Sequence, residues 1–262
     1  MIKVIAVCNQ KGGVGKTTTT VDLGAALSKH GSRVLLVDFD PQGNLSSGLG
    51  ISKKRPNTIL NLLQNEIMEL EYDIHDAIVE HDASDIKYDI IPANKLLVSA
   101  DSLLNNISEN KELVLKNILD NVKDEYDYIL IDCPPSLDKL TVNALGAADK
   151  VLITVQATKY GVDGLADLVR LILMAQDTYN TALGISGIVF TIDTGREVET
   201  RIVKADVERN FGEYIPILDT TIPRLKDISV APSYGVSVLE LAPKSDGAWA
   251  YEKLAREVVN NG

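Results

Sequence analysis

Residues 10–18 read Gln-Lys-Gly-Gly-Val-Gly-Lys-Thr-Thr and stand between an apolar run, Lys3–Cys8, and a segment with helical spacing, Thr17–His30. That order of strand, glycine-rich loop and helix constrains the chain more than any other feature. A loop that holds a polyphosphate must point several backbone N–H groups inward, and glycine allows both the required dihedrals and the close approach. Gly12, Gly13 and Gly15 meet that need. Lys16 then sets a cation against the outer phosphates, Thr17 offers a hydroxyl to Mg²⁺, and the helix directs its positive end at the ligand. The expected phosphate-binding set is therefore Gly12, Gly13, Val14, Gly15, Lys16, Thr17 and Thr18, with ATP and Mg²⁺ as cofactors. The usual pattern begins with glycine, whereas position 10 is glutamine, and a second lysine, Lys11, precedes the glycines.

The rest of the chain alternates apolar runs with helical patterns. Strands are expected at 3–8, 33–38, 88–91, 128–132, 150–155, 187–191 and 214–218, and helices at 17–30, 160–179 and 196–211. The early strands are unbroken runs of Val, Ile and Leu, as strands buried on both faces should be. This predicts an α/β fold: a mostly parallel twisted sheet with helices on both faces, in one domain spanning 1–262. Residues 51–110 break the alternation, with helical pieces at 58–65 and 95–107, and are read as an excursion over one edge of the sheet. The acidic stretch from Glu66 to Asp89 is read as a solvated face.

Composition excludes several classes. The chain has 262 residues and a net charge of -11, with 26 basic against 37 acidic side chains, which disfavours a surface coated in positive charge. No apolar run approaches the roughly 18 residues of a membrane helix. The N-terminus is a poor signal peptide, because Ile2–Cys8 is short and runs into glycines and a lysine. Cys8 and Cys133 are read as buried reduced thiols, in keeping with a cytoplasmic protein. His30, His75 and His81 are expected at the surface.

Lys11-Gly-Gly-Val-Gly-Lys16-Thr17 resembles the deviant Walker A motif of the ParA/MinD family of P-loop ATPases. Val34-Leu-Leu-Val-Asp38-Phe-Asp40-Pro-Gln-Gly-Asn44 and Tyr128-Ile-Leu-Ile-Asp132-Cys-Pro-Pro-Ser136, the latter similar to a Walker B strand, agree in order. Asp40–Asn44, Asp132–Ser136, Ile222-Pro-Arg224, Ala231–Gly235 and Ala242–Ala248 resemble the ParA/Soj branch, as does the lack of a helix-turn-helix extension before residue 1. The resemblance implies that Lys11 reaches across an ATP-dependent homodimer and offsets charge during phosphoryl transfer. It implies that Asp38 and Asp132 join Thr17 at the metal and that Asp40 positions or activates water. It adds Pro223 and Leu225 to the nucleotide-binding set. It further implies non-specific DNA binding at the nucleoid, release by a ParB-like partner, and a DNA surface at Arg196 and Arg224 with Arg201 and Lys226 beside them.

Three other readings compete with this one. A MinD-like membrane ATPase needs a C-terminal amphipathic helix with lysines beside large apolar residues. The tail instead places Tyr251, Leu254/Ala255 and Val258 on one face among mixed charges, as a helix that docks on the core. A nitrogenase-iron-protein type needs two cluster cysteines per subunit, and only Cys133 lies in a suitable region. A cargo-positioning ATPase would be built alike.

Overall fold

The computed structural model describes residues 3–83, 85–158, 162, 164–195 and 198–260. Among these, the strands β1 (Lys3–Cys8), β2 (Val34–Asp38), β3 (Val79–Ala83), β4 (Ile86–Ile91), β5 (Tyr128–Asp132), β6 (Lys150–Gln156), β7 (Gly184–Asp193) and β8 (Ile217–Pro223) form one sheet in the order β3-β4-β2-β5-β1-β6-β7-β8. Every pairing is parallel except β3 with β4. Strict alternation of side chains divides the interior into two layers. Val4, Ala6 and Cys8 of β1 with Ile129 and Ile131 of β5 face one core, while Ile5 and Leu130 face the other.

The first layer is covered by α3 (Ile59–Ile67), α4 (Ala100–Asn105), α5 (Val114–Asp120), α6 (Lys139–Ala147) and α7 (Leu165–Thr178), with α8 (Val198–Phe211) adding Val203 and Val207. The second is covered chiefly by α1 (Lys16–Lys29), α10 (Val238–Leu241) and α11 (Asp246–Asn260), with the short α2 (Asn44–Gly48) and α9 (Lys226–Val230) adding Leu45 and Ile228. As the tail's spacing predicts, α11 buries Tyr251, Leu254, Ala255 and Val258. No described helix is long and apolar enough to cross a membrane.

Four expectations need correction. The last strand runs Ile217–Pro223 and not 214–218; Tyr214 is 79% exposed. Residues 95–107 are not one helix but a 3-10 turn, Lys95–Ser99, followed by α4. The acidic stretch contains β3, whose sequence Val-Glu-His-Asp-Ala shows no apolar run. It pairs antiparallel with β4 as far as Ala83–Ile86, and Asp85 adopts φ 69°. Glu80 and Asp82 point to solvent on this edge strand, where charge discourages further pairing. His81 is also not a surface residue: its side chain is 12% exposed, it stacks on Tyr88, and its Nε2 lies 2.7 Å from Glu240 of α10.

Asp22 of α1 is buried, accepts the Val238 N–H at 2.8 Å, and is pushed up to about 8 by burial. Between its unfolded value near 4 and this folded value, the native state holds a proton that the unfolded chain has lost. Stability therefore falls as pH rises through that window, and the full penalty remains above it. Asp22→Asn keeps the acceptor and cannot ionise. Thermal unfolding should show little gain at about pH 5 and a Tm increase of roughly 5–10 °C at about pH 8.5. A gain that does not grow with pH would return Asp22 to an ordinary carboxyl.

Candidate functional site

The C-terminal ends of β1, β2, β5 and β7 meet at one edge of the sheet, where parallel α/β folds bind ligands. The loop from Asn9 to Gly15 leaves β1 and enters α1 with Gly13 at φ 75° and Gly15 at φ 79°, left-handed values that a side chain would strain. Asn9 fixes its start: Nδ2 donates to the Thr154 carbonyl of β6 at 2.6 Å, and Oδ1 accepts the Lys11 N–H at 2.8 Å. Gln10, at the position where the usual pattern has glycine, packs against Gly164, whose missing Cβ leaves room for it.

Lys16 is 6% exposed, and its Nζ donates to the Lys11 carbonyl at 2.9 Å, so the ammonium is held inside the loop's curve. Burial lowers its pKa, and Asp132 opposes that shift. Thr17 donates to Asp132 Oδ2 at 2.7 Å. Asp38 and Asp132 are register partners on β2 and β5. Burial raises the pKa of Asp38 to about 6, raises that of Asp40, and raises that of Asp132 well above the carboxylate range, with Asp38 adding to the last. Asp38 and Asp132 thus lie side by side, and Asp40 is near enough to add to the Asp132 shift.

The metal expectation can be tested on this geometry. Asp132 Oδ1 is buried without a hydrogen-bond partner among the described residues, next to the Thr17 hydroxyl on Oδ2. Among the described residues, no group of three or more acidic, His or Cys side chains could hold a metal ion. Mg²⁺ suits such a site, since it keeps much of its water and takes one or two protein oxygens plus phosphates. Asp38 is placed differently from a direct ligand. Oδ2 accepts Ser46 N–H at 2.8 Å and Ser46 Oγ at 2.6 Å, and Oδ1 accepts the Asp40 N–H at 3.3 Å. It anchors the loop that presents Asp40, whose own Oδ1 accepts the Gln42 N–H at 2.8 Å.

A cavity of about 1130 Å³ opens beside these groups. Gly12, Gly13, Gly15, Lys16, Thr17, Thr18, Asp40, Pro223 and Leu225 border it, so most of the expected nucleotide set lines one space. Val14 is buried in the core and offers only its backbone, and neither it nor Lys11 borders the cavity. Arg224 and Lys226, expected on a DNA surface, border this cavity as well, and both are exposed. Arg201 is exposed on α8, and Arg196 lies outside the described residues.

Sequence reading missed Asn9, Ser46 and Thr191, the last donating to the Val14 carbonyl at 2.8 Å. Each acts on backbone or on another side chain, which no motif records. It also missed that Cys8 and Cys133, free and buried, sit with Sγ atoms 3.1 Å apart. They follow the register pair Val7–Asp132 on adjacent parallel strands.

Comparison with known proteins agrees with this geometry. A family model described as an AAA domain matches residues 2–185. The sporulation initiation inhibitor protein Soj of Bacillus subtilis is 43% identical over 264 residues, covering 100% of both chains. The chromosome partitioning protein ParA of Caulobacter vibrioides is 40% identical, covering 99% of this chain and 94% of its own. Among solved structures, the cobyrinic acid a,c-diamide synthase of Mycobacterium smegmatis, with a bound ATP analogue and magnesium, superposes with a TM-score of 0.85 at 34% identity, over 99% of this chain and 95% of that one. With its phosphate loop, Walker B strand and full-length likeness to these proteins, the chain belongs to the Soj/ParA family of P-loop ATPases.

Proposed function

We propose that this ATPase partitions chromosomes or plasmids by an ATP-gated cycle. ATP draws two copies into a sandwich dimer, the dimer holds DNA without sequence preference at the nucleoid, and a ParB-like partner releases it by stimulating hydrolysis. The observation that carries the reading is the paired lysines of the phosphate loop. Lys16 lies inside its own cavity, whereas Lys11, five residues earlier, does not border that cavity. A second loop lysine, beyond the one that serves this cavity, suits a phosphate contributed by a second copy. Mg²⁺, when bound, would neutralise phosphate charge, with Thr17 and Asp132 as its holders and Asp38 steadying the Asp40 loop. Asp40, buried and raised in pKa, is suited to orient water.

For the DNA surface, α8 spends Lys204 and Arg209 on ion pairs with Asp193 and Asp206, while Arg201 is exposed. Arg224 and Lys226 stand at the rim of the nucleotide cavity, so occupancy of that cavity can be felt by the same segment. The membrane reading is disfavoured because α11 turns its apolar face onto the core.

DNA retention should require ATP and be absent with ADP or no nucleotide, because a dimer joins two weak patches on one duplex. It should fall steeply with salt and be indifferent to sequence. Changing Arg196 and Arg224 together to alanine should abolish retention and leave ATP-driven dimerisation intact. Retardation assays at two salt concentrations read the first result, and light scattering reads the second. A wild-type chain that holds no DNA in any nucleotide state would favour cargo positioning instead.

A further inference from the structure

Thr191 lies near the end of β7, 1% exposed, and its Oγ1 donates to the Val14 carbonyl at 2.8 Å. It also supports the neighbouring residue: a Cβ on Gly15 would sit 3.5 Å from the Thr191 Cβ. The strand is irregular here. Its register against β8 shifts between Phe190 and Asp193, and Ile192 adopts φ 54°. A β-branched residue in the left-handed region is a strained outlier, and such outliers persist only where surrounding contacts hold them. One such contact is the Arg224 N–H, which donates to the Asp193 carbonyl at 2.9 Å. The distortion falls directly after the residue whose hydroxyl meets the phosphate loop.

The consequence follows from the planar trans peptide. Carbonyl and N–H of one peptide point in opposite directions. With the Val14 carbonyl drawn onto Thr191, the Gly15 N–H of the same plane is turned away from β7. A carbonyl left unrestrained in a glycine-rich loop could turn its negative end toward incoming phosphates. Asn9 performs the matching task at the loop's start, tying it to β6.

We propose that Thr191 is a positioning residue of the ATP site: its hydroxyl fixes the Val14–Gly15 peptide so that the phosphate loop is ordered for binding before nucleotide arrives. Thr191 acts through this peptide. The inference rests on the loop being the nucleotide site.

The test compares wild type with Thr191→Val, which keeps the shape and removes the donor, and with Thr191→Ser, which keeps the donor. Loss of one such hydrogen bond should raise the Kd for ATP by calorimetry roughly 3- to 10-fold in the valine variant. KM should rise by a similar factor with kcat within about twofold, since the loop's order serves ground state and transition state alike. Thr191→Ser should restore both Kd and KM. If the valine variant does not fold, Thr191→Ala against Thr191→Ser poses the same question, with the alanine variant expected to be the weak binder. Valine and alanine variants that bind ATP like wild type, or a serine variant as weak as valine, would overturn the proposal. A lowered Tm with unchanged Kd and KM would also overturn it, by reducing Thr191 to a packing residue. Wild type that binds no ATP would overturn the nucleotide-site reading itself.

Discussion

Lys16→Ala should bind ATP on the order of ten- to a hundredfold more weakly than wild type, the worth of one charge-assisted phosphate contact. The size follows from where the ammonium sits. Lys16 is buried at the cavity and donates to the Lys11 carbonyl, so it is already positioned inside the loop. Its desolvation has been incurred on folding and lowers its pKa, a shift that Asp132 and Asp40 oppose. Calorimetry with ATP should show the loss. The stabilisation of wild type by a fixed excess of ATP in thermal unfolding should shrink in parallel, since a ligand at free concentration L stabilises by RT ln(1 + L/Kd). Wild-type affinity in this variant would move the phosphate site away from the loop.

Asp40→Ala should separate binding from turnover. Asp40 borders the cavity, but the loop that presents it is anchored from behind by Asp38 and Ser46, so its removal leaves the phosphate loop untouched. ATP affinity should stay within a few-fold of wild type, while hydrolysis should fall by about 10²- to 10⁴-fold, the range for a lost group that orients or deprotonates water. With ATP the variant should accumulate as a dimer in light scattering, because the state that hydrolysis ends now persists. Unchanged turnover, or a monomer at saturating ATP, would remove Asp40 from that role. Asp38→Ala should behave differently: it frees Ser46 and the Asp40 N–H together, and should cost stability as well as turnover.

Chemistry that depends on consecutive residues could be read directly. The glycines and lysine of 11–17 carry their geometry within one loop, and apolar runs such as Val34–Val37 and Ile129–Ile131 declare strands buried on both faces. The same periodic signal placed α1 and the core face of α11. The strand Val79–Ala83 gave no such signal, because an edge strand buries little and its identity lies in pairing with β4. His81 was unreadable for a related reason: its partners Tyr88 and Glu240 come from separate segments of chain.

By itself the sequence determined which residues could hold a phosphate, where carboxylates would end strands, and that strands and helices would alternate into a parallel sheet, because these follow from local backbone chemistry and from periodicity. How those groups meet is a property of the assembled fold. That fold set Asp38 against Ser46 instead of the cavity, brought Cys8 beside Cys133, placed Arg224 and Lys226 at the cavity's rim, and hung Val14 from Thr191. Each of these is a contact between residues distant in sequence or a choice of which way a side chain faces. Such contacts depend on strand order and register, which belong to the sheet as a whole and not to any one segment.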